Sequence, residues 1–141
     1  MAIFLFKTEP TTYSFDDLAR EEAAVWDGIT NAQAINFLRD ARAGDEALIY
    51  HSGDEKAIVG LAKITSSARA DPGHPQLDAQ GRHKRIVVGI KALTRLPKAV
   101  TLAQVKADKR FAEFLLVRNS RLSVMPVPAA IDRLIRQWAG L

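Results

Sequence analysis

Two β-rich runs at 47–51 and 58–66, joined by Ser52-Gly53-Asp54, constrain this chain more than any other feature. Both are dense in Ile, Val and Leu, and a Ser-Gly-Asp turn between such runs predicts a hairpin. A third run at 86–96 and a short bulky start at 3–6 predict two further strands.

Helix signals lie between them. Ser14 followed by Asp17 is a capping box in acidic form, and Phe15, Leu18 and Ala19 supply an apolar face for a helix ending near Ala23. Thr30 with Gln33 offers a second cap. Ala34, Ile35, Leu38 and Ala41 keep helical spacing behind it, and Gly44 suits the left-handed position after a last turn, which predicts a helix over 31–42. Thr101 with Gln104 repeats the cap, and 111–117 is a short apolar element of undecided type. Pro128 fits the first turn of a helix whose Ile131, Leu134, Ile135 and Trp138 form one stripe. Residues 67–83, with two prolines and two glycines, are expected to be the longest and most mobile loop. With 141 residues and no internal repeat, the expectation is a single α+β domain over 1–141, built on a curved mixed or antiparallel sheet with flanking helices. A small barrel is compatible with it.

Composition narrows the function. At 48% apolar and 26% charged residues the chain reads as an ordinary packed globule, and its net charge of +4 is compatible with a polyanionic partner. The absence of cysteine removes thiolate nucleophiles, thiolate metal sites and disulfides, and suits an intracellular, cytoplasmic home. Lys7, Glu9 and Pro10 interrupt the apolar start, so it reads as neither signal peptide nor membrane span. His51, His74 and His83 lie far apart, so no metal site is expected. No phosphate loop, dinucleotide fingerprint or Gly-x-Ser-x-Gly elbow is present, and no cofactor is expected. The catalytic arrangement left open is a carboxylate pair drawn from Glu9, Asp27 and Asp45.

Five stretches look purposeful. Lys7-Thr8-Glu9-Pro10 puts a cation, a hydroxyl and a carboxylate directly after a buried strand. Trp26-Asp27-Gly28-Ile29-Thr30-Asn31 places an indole, on which a base could stack, before a glycine turn and a helix start. Tyr50-His51-Ser52 ends a strand with three polar tips, and Arg121-Leu122-Ser123-Val124 alternates so that Arg121 and Ser123 would share one strand face. Arg82-His83-Lys84-Arg85 is a compact basic run suited to phosphates, although a solvated charge run has the same appearance.

These stretches, in this order, together with Phe37-Leu38-Arg39, Gly44-Asp45, Gly60 and Pro126-Val127, resemble the EVE domain family of the PUA-like superfamily over nearly the whole chain. The resemblance implies a PUA-like curved β-barrel flanked by helices. It also implies a non-catalytic domain that binds DNA or RNA and accommodates a modified base. Carried over by residue, the ligand-binding set is Lys7, Thr8, Glu9, Trp26, Asn31, His51, Ser52, Arg121 and Ser123, with Arg82, Lys84 and Arg85 as phosphate contacts. Arg85 and Gly89 stand where family members often carry tryptophan and aspartate, which puts one aromatic wall or polar contact in question. Two other readings compete: a small enzyme acting on a nucleobase or nucleotide through Glu9, Asp27 or His51, and a protein-interaction adaptor.

Overall fold

The computed structural model describes Met1–Leu141. Six strands, β1 (Ile3–Thr8), β2 (Ala24–Trp26), β3 (Glu46–His51), β4 (Ala57–Ala70), β5 (Ile86–Thr101) and β6 (Val124–Pro126), form one sheet in the order β2-β5-β4-β3-β1-β6. The β1–β3 pair is parallel and every other pair antiparallel. Five helices flank it: α1 (Phe15–Ala19), α2 (Ala32–Leu38), α3 (Leu102–Ala107), α4 (Leu115–Arg118) and α5 (Ala129–Ala139).

The sheet is curled. In strand order, β2 is four steps from β1, roughly 19 Å at about 4.8 Å per step in a flat sheet. Yet the rings of Trp26 in β2 and Phe6 in β1 have centroids 5.5 Å apart. Four register shifts along β4–β5 and one in β3–β4 supply the bending, since each bulge kinks a strand and raises its local twist. The half-barrel thus closes on an aromatic contact, and Phe6, Leu5, Ile49, Ile58, Ile64 and Ile90 fill the buried space.

The predicted hairpin is β3–β4, but β4 runs on to Ala70 and β5 to Thr101, beyond the expected 66 and 96. Past Ile64 the strand alternates exposed and half-buried residues, so no apolar run marks it, while backbone pairing with β5 continues to Ala70↔Ile86. Ser14 caps α1 with its box intact, but the helix stops at Ala19 because Ala24–Trp26 is drawn into the sheet against β5. On α2 the cap is Asn31, not Thr30, and the helix ends at Leu38; Gly44, at φ +96°, serves the turn into β3. Residues 111–117 resolve into the end of a 3-10 turn (Lys109–Phe111) and α4. The predicted stripe holds α5 down: Ile131 and Ile135 are buried, Trp138 lies 5.1 Å from Phe111 ring to ring, and Arg136 reaches Glu46 of β3 at 2.8 Å. No helix is long and apolar enough to cross a membrane.

Two contacts fix α1 on the sheet, and both bear on the site. The Phe15 amide donates to Nε2 of the buried His51 at 2.9 Å, while Nδ1 of the same ring meets Glu55 Oε1 at 2.8 Å. The Phe15 ring lies directly over Gly60, where an added Cβ would be 2.3 Å from ring carbons. Gly60→Ala should therefore destabilise the fold by roughly 1–3 kcal/mol through overpacking, read as a lower denaturation midpoint with an unchanged denaturant slope.

Candidate functional site

Where the half-barrel closes, a cavity of about 510 Å³ opens beside Trp26. Three segments wall it: the end of β1 with its following loop (Lys7, Thr8, Glu9, Thr12, Tyr13), β2 with its glycine turn (Val25, Trp26, Asp27, Gly28, Ile29), and Ser123 ahead of β6, with Glu21 at the side. Gly28, at φ +76°, makes the turn that directs Asp27 and Ile29 to the same opening. Trp26 is 7% exposed, held by Phe6 on one side and by Tyr13 in an edge-on contact at 6.1 Å, so the indole is both core and cavity wall.

The polar lining is mostly committed, and the commitments orient it. The Thr8 hydroxyl donates to the Tyr13 carbonyl at 2.6 Å, folding the loop back over β1. Glu9 Oε1 accepts from the Thr11 amide and hydroxyl, at 3.3 and 3.1 Å. The Tyr13 phenol donates to Glu21; burial and then that carboxylate push its pKa far above the usual tyrosine range, so it stays protonated. Asp27 is exposed and has no ion-pair or hydrogen-bond partner. Lys7, the single cation of the lining, donates from Nζ to the Ser120 carbonyl at 3.0 Å, and burial lowers its pKa. Against it stand Glu9, Glu21 and Asp27, so the cavity is acidic within a basic protein.

Of the residues singled out from sequence, Lys7, Thr8, Glu9, Trp26 and Ser123 meet at this cavity. Asn31, His51, Ser52 and Arg121 lie outside its lining. Asn31 Oδ1 accepts from the Ala34 amide at 3.0 Å and so caps α2. His51 is 3% exposed with both ring nitrogens engaged. The Ser52 hydroxyl reaches the Thr8 carbonyl at 3.3 Å and faces a neighbouring depression. Arg121 is exposed with an unpaired guanidinium, and it shares no strand face with Ser123, because β6 begins only at Val124 and the preceding residues turn through the Leu122–Asn119 hydrogen bond. Of the three carboxylates considered as a catalytic pair, Glu9 and Asp27 face the cavity; Asp45 is buried and accepts from the Ala2 and Arg42 amides.

Arg82, Lys84 and Arg85 line a separate cleft of about 450 Å³ between α2 and the 71–85 loop, with Arg39 and Asp78. Asp78 partly neutralises it, meeting Arg82 at 3.1 Å and Arg39 at 3.7 Å; the Arg82 amide, before other contacts, lowers its pKa. Neither departure from the family pattern touches the Trp26 cavity: Arg85 lines this cleft, and Gly89 lacks a Cβ where Ser66 Oγ would stand 2.5 Å away. Thr12, Tyr13, Glu21 and Val25 are the lining residues that sequence reasoning missed. Tyr13 and Glu21 stand in ordinary polar stretches, eight positions apart, on either side of α1.

Residues 2–138 match the family model of the EVE domain. Human thymocyte nuclear protein 1 is 29% identical over 154 aligned residues, covering 88% of this chain and 68% of that protein. A Rhodopseudomonas palustris protein solved by NMR superposes with a TM-score of 0.87 at 39% identity, covering 99% of this chain and 94% of that one. The human THYN1 protein, solved in complex with DNA containing 5-methylcytosine, superposes with a TM-score of 0.89 at 25% identity, over 100% of this chain and 99% of that one. The curled mixed sheet with flanking helices is the PUA-like fold shared with these neighbours.

The placement of Asn31 is directly testable. Asn31→Ala should cost about 0.5–2 kcal/mol of stability through the lost cap, and Asn31→Asp, which keeps the acceptor, should restore most of it in the same denaturation assay. Equal stability of Asn31→Ala and the wild type would refute the capping role.

Proposed function

The chain belongs to the EVE domain family, and on that premise we propose that it binds DNA and holds one extruded, modified cytosine in the cavity beside Trp26, without catalysis of its own. The observation that carries this is the lining itself: an indole wall, the apolar side chains of Val25 and Ile29, and three carboxylates within about 510 Å³. Such a surface suits a flat ring with hydrogens to donate. A cytosine presents its exocyclic amine, which Asp and Glu accept, whereas the thymine edge presents a carbonyl oxygen that a carboxylate repels. The human neighbour bound to DNA containing 5-methylcytosine supports both DNA as the partner and a cytosine as the base.

The energetics are consistent. Extruding a base costs a few kcal/mol, and stacking on an aromatic returns roughly 1–3 kcal/mol. The amine-to-carboxylate contact adds roughly 1–3 kcal/mol of discrimination. Burying a 5-methyl group against Val25 and Ile29 is worth about 0.8 kcal/mol, a preference of roughly fourfold over plain cytosine. The strand outside is held electrostatically, by Arg121 and Lys7 close to the cavity and by Arg82, Lys84 and Arg85 along the adjoining cleft. In this reading Thr8, Glu9, Asp27 and Ser123 contact the base, and Asn31, His51 and Ser52 support the scaffold. An open cavity with a polar lining favours a ligand site over an adaptor surface. His51, the one histidine near the site, has both ring nitrogens engaged, which favours binding without proton transfer.

Titration with oligonucleotides differing at one position tests the reading. A strand with 5-methylcytosine should bind roughly fourfold more tightly than one with cytosine. It should bind roughly 5- to 150-fold more tightly than one with thymine, which has the same methyl group but no amine. Asp27→Asn should narrow the second gap and leave the first unchanged. Equal affinity for 5-methylcytosine and thymine would sink the proposal, and conversion of the base on long incubation would remove its non-catalytic part.

A further inference from the structure

Next to the Trp26 cavity lies a second depression of about 280 Å³ with the opposite electrostatic character. Lys7, Lys56 and Lys106 line it, no carboxylate does, and none of the three lysines forms a salt bridge. Lys7 belongs to both cavities. Its amide donates to the Ser123 carbonyl and its ammonium to the Ser120 carbonyl, so it runs along the short ridge between them, with Ser123 on the base side and Ser120 on the lysine side.

The floor is Tyr50, whose ring lies under the Lys7 ammonium at 5.6 Å. Tyr50 is 4% exposed as a residue, and its hydroxyl, which no protein group engages, keeps contact with solvent. Burial keeps it protonated by raising its pKa, so it has a hydrogen to donate. Lys56 is the only non-glycine residue with a left-handed backbone, at φ +48°, held there by the Leu102 amide on its carbonyl at 2.8 Å. A strained residue persists where its surroundings over-determine it, and such residues gather at ligand sites. Three ammonium groups without a carboxylate partner and a donor hydroxyl around one depression are a receptor for a tetrahedral oxyanion.

We propose that this depression is a phosphate site, filled by the backbone phosphate adjoining the base held in the neighbouring cavity. It rests on the base-binding reading for the source of the phosphate, but not for the site. The cluster takes the strand's charge where the acidic base cavity refuses it, and Lys7 on the shared ridge fixes the spacing between phosphate and base.

The test compares the wild type with Lys56→Gln/Lys106→Gln and with Tyr50→Phe, sparing Lys7 because it serves both cavities. Both lysines are exposed, so the double variant should fold normally. NMR titrations use 5-methyl-2′-deoxycytidine, its 3′- and 5′-monophosphates, and inorganic phosphate. One monophosphate should bind the wild type roughly tenfold more tightly than the nucleoside. The double variant should erase that difference without changing nucleoside affinity, and Tyr50→Phe should reduce it. With a modified single strand, the log–log salt slope should flatten by roughly 0.7 per lysine removed. A monophosphate advantage and a salt slope that both survive the double substitution would overturn the site. If no nucleoside binds but inorganic phosphate shifts the Tyr50 and Lys56 resonances in a lysine-dependent way, the phosphate site stands and the base-binding reading falls. If inorganic phosphate and both monophosphates leave those resonances unmoved, the site itself is refuted.

Discussion

The contact between Phe6 and Trp26 is the constraint on which the rest of the structure depends. It joins strands four steps apart in one sheet, so the sheet between them must curl, and the register shifts along β4 and β5 supply the bend. A flat version of this sheet would leave Phe6, Trp26 and the aliphatic faces of β3 to β5 exposed on one side. Curling lets the sheet cover itself, and the helices are left to seal its edges and outer face.

Closure in turn creates the cavity. Because β2 ends at Trp26 and Gly28 turns the chain immediately afterwards, the opening falls where the two margins of the half-barrel meet. The β1 loop is drawn over it by the Thr8–Tyr13 hydrogen bond, and α1 is pinned below by the Phe15–His51 hydrogen bond and by the missing Cβ at Gly60. An indole held on two sides by other rings loses no further freedom when a ligand arrives, so its ordering is completed in folding rather than in binding.

What could be read from the sequence followed the strength of local signals. The hairpin, the Ser14 and Thr101 caps and the α5 stripe were legible because each is encoded within a few residues. The strand β2 was not: three residues, Ala24–Trp26, carry no periodicity, and only β5 alongside makes them a strand. The far ends of β4 and β5 were hidden because, Val100 apart, their side chains past Ile64 and Leu96 are exposed or only half-buried, so no apolar run marks the backbone pairing. Within the site, residues adjoining the sheet margins were visible as Lys7-Thr8-Glu9 and Trp26, whereas Tyr13 and Glu21 come together only through tertiary docking. Asn31 and His51 drew attention as polar residues in a recognisable pattern, and the fold uses that polarity to satisfy backbone amides.

The three carboxylates around the Trp26 cavity have one more consequence. On the proposed reading, a nucleic acid strand drawn in by the protein's overall positive field would meet a negative mouth that repels its sugar-phosphate chain and favours the uncharged ring. Insertion would thereby stop at a single heterocycle, as a gauge stops a probe. For the same reason a free nucleoside triphosphate, entering phosphates first, would be turned away at the rim.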